Sequence, residues 1–148
     1  MRVIEIIIDQ IQPGESEQII IKCHHMTPEI MRLIDAFKSQ TTTLVGYTGN
    51  EMHTISAMDV FYIEAVDNRV FLYCEHDVYE TKQRLYKLEE MLENDDFSRI
   101  SKSIIANLSK IKSFVPAVYG RLEAILVNGE KIIISRQYVS ELKKKLGL

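Results

Sequence analysis

Apolar and polar positions change their period along the chain, and the changes divide it in two. Residues 2–8 (Arg-Val-Ile-Glu-Ile-Ile-Ile) and 18–23 (Gln-Ile-Ile-Ile-Lys-Cys) are dense in β-branched side chains, which suit a pleated backbone, so both read as strands. Pro13-Gly14-Glu15-Ser16 between them is a turn signal. At Thr27-Pro28-Glu29 a capping hydroxyl precedes a first-turn proline and an acid, which marks a helix start. Ile30, Leu33, Ile34 and Phe37 then recur at helical spacing and predict a helix to about Lys38. The polar run Ser39-Gln40-Thr41-Thr42-Thr43 sets a boundary. Residues 1–42 are thus a β-β-α unit too small for a core of its own, which must pack on the rest of the chain or on a second subunit.

From Leu44 the period shortens. Strands are predicted over 44–47, 51–55, 60–65 and 70–75, separated by Gly49-Asn50, residues 56–59 and Asp67-Asn68, and 78–82 makes a fifth. Leu85, Leu88, Glu89 and Leu92 place a helix over 85–92, which Asn94-Asp95-Asp96 stops. Further strands follow over 97–101, 111–115, 121–126 and 131–134, with Asn128-Gly129 as a hairpin signal before the last. A final helix over 135–148 opens with Ser135 as its cap and carries Lys143-Lys144-Lys145 near its end, where cations suit the helix dipole. The fold class is α+β and mostly β, with domains over 1–42 and 43–148.

Composition adds little to this, but the distribution of charge adds something. At 46% hydrophobic and 26% charged the 148 residues are ordinary globular material. No apolar run approaches the roughly 18 residues of a membrane span, and the acids Glu5 and Asp9 argue against an export signal. Cys23 and Cys74 fit no metal or redox spacing and read as reduced thiols in the cytoplasm. The net charge of −3 hides a division. Residues 97–148 hold ten Lys and Arg against three acids, a net of +7, which leaves −10 for residues 1–96. Such a split suggests one face for a polyanion and another that avoids it.

Three segments then bear on function. Phe61-Tyr62-Ile63-Glu64-Ala65 is followed by a turn and Val70-Phe71-Leu72. Next comes Phe97-Ser98-Arg99-Ile100-Ser101-Lys102-Ser103-Ile104-Ile105-Ala106-Asn107-Leu108, then Ile111. The third is Asn128-Gly129-Glu130, the triplet Ile132-Ile133-Ile134, and Ser135-Arg136-Gln137-Tyr138. In this order and spacing they resemble the LytTR family of bacterial response-regulator output domains, over roughly residues 44–148. Many members read histidine where this chain has Ser101. The resemblance implies an elongated β fold of short antiparallel strands with a C-terminal helix. It also implies a non-enzymatic transcription regulator that enters successive major grooves of double-stranded DNA with loops, on paired half-sites and as a homodimer. Residues 1–42 are too short for a phosphoacceptor receiver domain, so a stand-alone regulator is expected, and similar ones are often held by a small membrane partner.

The residue chemistry fits that expectation. Arg136 has a planar fork that can engage guanine O6 and N7 together. Lys102 can reach guanine acceptors or a phosphate, and the family's third contact falls at Asn68 or Arg69. Arg99, Lys110 and Lys112 supply phosphate neutralisation, with Ser101, Ser103 and Asn107 adding short hydrogen bonds. Tyr138 completes this backbone-contact set, although with Phe61 and Tyr62 its ring reads first as packing. Plainer readings exist: Arg136 paired with Glu141, Asn107 fixing a loop, the lysine run merely solvated. Cys23-His24-His25 holds ligand types, but adjacent strand residues face opposite ways and cannot converge on one ion. Ser101-Lys102-Ser103 has no nucleophile elbow, so neither a metal, a cofactor nor catalysis is expected. The rival reading is a protein-interaction module whose basic C-terminal face docks an acidic partner. RNA binding stands third, without the paired exposed aromatics of an RRM.

Overall fold

The computed structural model describes residues 4–38 and 42–148. After helix α1 (Pro28–Lys38) the chain forms β1 (Thr43–Thr48), β2 (Glu51–Ser56), β3 (Val60–Val66), β4 (Arg69–Cys74) and β5 (Val78–Thr81). Helix α2 (Leu85–Met91), β6 (Phe97–Arg99) and β7 (Ile104–Asn107) follow. Then come β8 (Ile111–Pro116), β9 (Leu122–Leu126), β10 (Lys131–Ile134) and helix α3 (Arg136–Lys145). The strands make a seven-stranded sheet in the order β2-β1-β5-β4-β3-β7-β6 and a three-stranded sheet β10-β9-β8, with every pairing antiparallel.

β3 explains why the large sheet holds two layers of core. Its apolar run Val60-Phe61-Tyr62-Ile63 does not alternate with polar residues, because the strand is buried on both faces. Val60 and Ile63 join Leu44, Ile55, Leu72, Leu88, Leu92, Phe97 and Ile105 in a core closed by α2. Phe61 and Tyr62 join Ile100, Ala106, Ala124, Leu126, Ile132, Ile134 and Leu142 in a second, closed by the small sheet and α3. Two successive residues share a face because the β3–β4 register slips between Val60 and Tyr62, a bulge with one unpaired residue. Tyr62 satisfies its hydroxyl inside this core by donating to Glu130 Oε1 at 2.6 Å and stacks on Tyr73, ring centroids 4.5 Å apart.

The strands and helices predicted from Leu44 onward are present within a residue or two, except that 97–101 shortens to 97–99 and the last helix runs Arg136–Lys145 in place of 135–148; β7 adds a strand where none is predicted. Thr27 caps α1 as its spacing suggests, with Oγ1 accepting from Ile30 N at 3.3 Å. Ser135 stands at the N-cap of α3, but its hydroxyl makes no capping bond.

The N-terminal strands are a correction. Residues 4–12 and 16–23 run without strand pairing, joined by a turn in which Glu15 N donates to Gln12 O at 3.1 Å. Strand propensity alone does not make a strand, since the ladder needs a neighbour and these segments have none among the described residues. Residues 2 and 3 of the first segment lie outside the described residues.

The two thiols differ in setting. Cys23 is exposed, while burial, with Asp59 and Asp77 nearby, pushes the half-buried Cys74 thiol up to about 11. Alkylation follows the thiolate, so native protein at mildly alkaline pH should react first at Cys23. Cys74 should react roughly 100-fold more slowly than it does after unfolding, as read by mass spectrometry of quenched samples.

Candidate nucleic-acid interface

Each segment singled out above ends in a loop, and local chemistry shapes each loop. The β3–β4 connection is a two-residue turn closed by the Val66–Arg69 pair, with Asp67 at φ 50° and Asn68 at φ 64°. Asp and Asn tolerate this left-handed region, and two such residues match the twist of the flanking strands. Asn68 is exposed at the turn. Arg69 is engaged elsewhere: its Nε and Nη2 donate to the Glu80 carboxylate at 2.7 and 2.9 Å, and its guanidinium lies 5.2 Å from the Phe71 ring centre. The hydrogen bond from Arg69 holds Glu80 below the usual carboxylate range.

The β6–β7 loop is built around Arg99. Its Nε donates to Ser101 O at 2.8 Å, its Nη2 to Lys102 O, and its Nη1 to Glu89 Oε2 at 2.7 Å, which braces the loop against α2. Ser101 Oγ accepts from Ser103 N at 3.2 Å, so both serines shape the loop from inside. Lys102 projects from it, exposed and without an ion pair among the described residues.

Arg136 opens α3, also exposed, and forms no ion pair with Glu141. Its aliphatic stem lies against Gly120 in the β8–β9 turn, where an added Cβ would stand 3.0 Å from Arg136 Cδ. Tyr119, at φ 60°, and Gly120, at φ 74°, form that turn, and Tyr119 is 83% exposed.

Two backbone bonds tie the three loops together. Ala65 N, just before the β3–β4 turn, donates to Ser103 O at 2.8 Å, and Ser135 N donates to Ile100 O at 2.8 Å. Asn68, Lys102 and Arg136 therefore stand on a continuous, hydrogen-bonded rim. Beside that rim opens a groove of about 920 Å³ lined by Asn68, Arg69, Lys82, Arg84, Arg99 and Lys102 among others. Lys82 and Arg84 were not singled out from the sequence, because they sit in the acidic two-thirds of the chain and only folding carries them to the basic loops. Tyr119 was missed too; its left-handed φ in a turn was the one signal available, and it is not a sequence signal.

The remaining candidates separate. Lys112 is exposed on β8, and Lys110 holds its ammonium 5.3 Å from the Phe61 ring centre. Tyr138 is half-buried against the second core. Asn107 is a correction: it is 2% exposed and cannot touch a duplex. Its Nδ2 donates to Val60 O at 2.8 Å, while its Oδ1 accepts from Ser109 N at 3.1 Å and Ser109 Oγ at 2.7 Å. Nor is the terminal lysine run wholly solvated, since Lys145 Nζ donates to Phe97 O at 2.9 Å and pins α3 to β6.

The family model of the LytTr DNA-binding domain matches residues 50–147. The chain belongs to the LytTr DNA-binding domain family. A solved LytTr domain from a Bacillus cereus protein superposes with a TM-score of 0.69 at 27% identity, over 72% of this chain and 98% of that one. An HTH-type transcriptional regulator of Staphylococcus aureus is 30% identical over 141 residues, covering 93% of this chain and 95% of the relative. The sensory transduction protein LytT of Enterococcus faecalis is 26% identical over 142 residues, and this chain spans 59% of its length. The LytTr domain here has no pair of helices joined by a short turn among the described residues; strands β6 to β10 separate α2 from α3. No helix among the described residues is long and apolar enough to cross a membrane.

Proposed function

We propose that this chain is a sequence-specific reader of double-stranded DNA that regulates transcription in the bacterial cytoplasm without catalysing a reaction. The observation that carries the reading is the rim on which Asn68, Lys102 and Arg136 are tied through the Ala65–Ser103 and Ile100–Ser135 backbone bonds. Loops held at fixed spacing can enter a major groove, where the base edges carry a unique pattern of donors and acceptors. Arg136 takes guanine O6 and N7 with its fork, Lys102 a guanine acceptor, and Asn68 a base edge at the β3–β4 turn. Arg69 stays with Glu80, and Arg99 positions the Lys102 loop while its own guanidinium is occupied. Lys82 and Arg84 line the groove beside the rim and neutralise phosphate there, setting register without reading sequence, while Lys112 on β8 and Tyr138 on α3 are further backbone-contact candidates. A small membrane protein that holds the regulator until signalled fits the same reading as a partner.

The test is selection of bound duplexes from a randomised pool by the purified protein at about 150 mM salt, where attraction by charge alone is already weakened. Enrichment of one motif, in two half-sites about a helical turn apart, is the expected result. A folded protein that enriches nothing would replace this reading with docking of an acidic protein partner on the basic face.

A further inference from the structure

The N-terminal arm presents apolar surface that the rest of the chain leaves uncovered. Ile4, Ile6, Ile7, Ile8, Ile19 and Ile20 are 64–86% exposed, with Ile11 and Ile21 partly so. On α1, Met31, Leu33 and Phe37 remain about half exposed. Monomeric proteins seldom show contiguous apolar patches beyond a few hundred Å². The combined area here is on the order of the 800 Å² per partner that a stable protein interface buries.

The arm also carries its own pairing code. Extended as a ladder, the turn closed by the bond from Glu15 N to Gln12 O would set a hairpin register in which Ile8 faces Ile19, Ile6 faces Ile21 and Ile4 faces Cys23 on one side. On the other side Ile7 faces Ile20 and Glu5 faces Lys22. Over residues 4–8 and 19–23 one side is thus apolar, with Gln10 and Glu17 following it toward the turn, and the other side sets Glu5 against Lys22. A single two-stranded ribbon of this kind is marginal in water, and three or four strands with a covered face are needed. In keeping with that, the two segments do not pair within one chain.

We propose that a second copy of this chain occupies the arm. Two arms related by a twofold axis form one four-stranded antiparallel sheet, and the Leu33–Phe37 faces of the two α1 helices cover its isoleucine side. An identical copy fits better than an unrelated partner because it supplies the missing half of both parts at once, strands for the ladder and a helix for the core. The Glu5–Lys22 complementarity is likewise internal to the segment, so it is available between copies. The inference rests on the arm and α1, not on the DNA reading, and is tested without DNA.

Sedimentation of the full chain should show a dimer at roughly 10 µM. The double variant Ile6→Lys, Ile21→Lys places two ammonium groups on the apolar side and should raise the dimer dissociation constant by about 100-fold or more. Neither residue belongs to the two buried cores, so circular dichroism and melting of the β domain should be unchanged. A spin label on Cys23, in a Cys74→Ser background, should show an intermolecular dipolar signal that the double variant loses. A wild-type chain that stays monomeric overturns the proposal and gives the arm to a different partner. A dimer that persists in the double variant also overturns it, because the contact then lies elsewhere. Failure to select a DNA motif would leave each of these results standing.

Discussion

Arg136→Ala should weaken binding to the selected duplex by about 1–3 kcal/mol, a factor of roughly 5 to 150, and barely change binding to random DNA. The asymmetry follows from where the side chain is held. Arg136 starts α3, Ser135 fastens that start to Ile100 O, and Gly120 leaves room for the aliphatic stem to lie flat. A guanidinium on such a base costs little ordering when it meets guanine, and no carboxylate among the described residues has to be released first. Arg136→Lys should recover only part of the loss, because an ammonium cannot make the two parallel bonds. Titration of both duplexes at two salt concentrations is the measurement. Equal losses on the two duplexes, with the salt slope reduced by about one, would make Arg136 a phosphate contact instead.

Asn107→Ala should destabilise the fold by on the order of 3 kcal/mol while leaving the folded protein's DNA affinity within about twofold. One side chain here joins three places. Its amide holds Val60 O on β3, and its carbonyl oxygen takes both the N–H and the hydroxyl of Ser109 at the start of the turn into β8. Removing it leaves a buried carbonyl unpaired beside residues fully excluded from water, and a small cavity as well. Thermal unfolding should fall by roughly 10 °C, given the enthalpy of a domain this size. A duplex titration well below the new midpoint would show whether Asn107 touches DNA. A large loss of affinity in protein shown to be folded would contradict its structural role.

These two side chains mark where a sequence is readable and where it is not. Both lie in the most recognisable segments, and the residue types alone admit either role for either one. A polar side chain within an apolar strand can be solvated at an edge or buried with its bonds satisfied, and the choice depends on what packs above it. For Asn107 that is β3 and the turn at Ser109; for Arg136 it is open solvent over Gly120. Arg99 shows the same ambiguity, since Glu89 on α2 and the carbonyls of its own loop, not phosphate, each accept from one of its three nitrogens.

By itself the sequence determined the elements from Leu44 onward apart from β7, because their periods, turn residues and caps are local properties that no distant contact had to supply. It also determined that residues 2–8 and 18–23 favour extended backbone, and the resemblance of three segments placed the chain in its family. Only the tertiary structure decided that residues 4–8 and 18–23 find no strand partner among the described residues, that Lys82 and Arg84 join Lys102 at one groove, and that Asn107 faces inward. The reason is common to all three: pairing, burial and the approach of charges depend on residues far apart along the chain, and become fixed only when the two sheets close on β3.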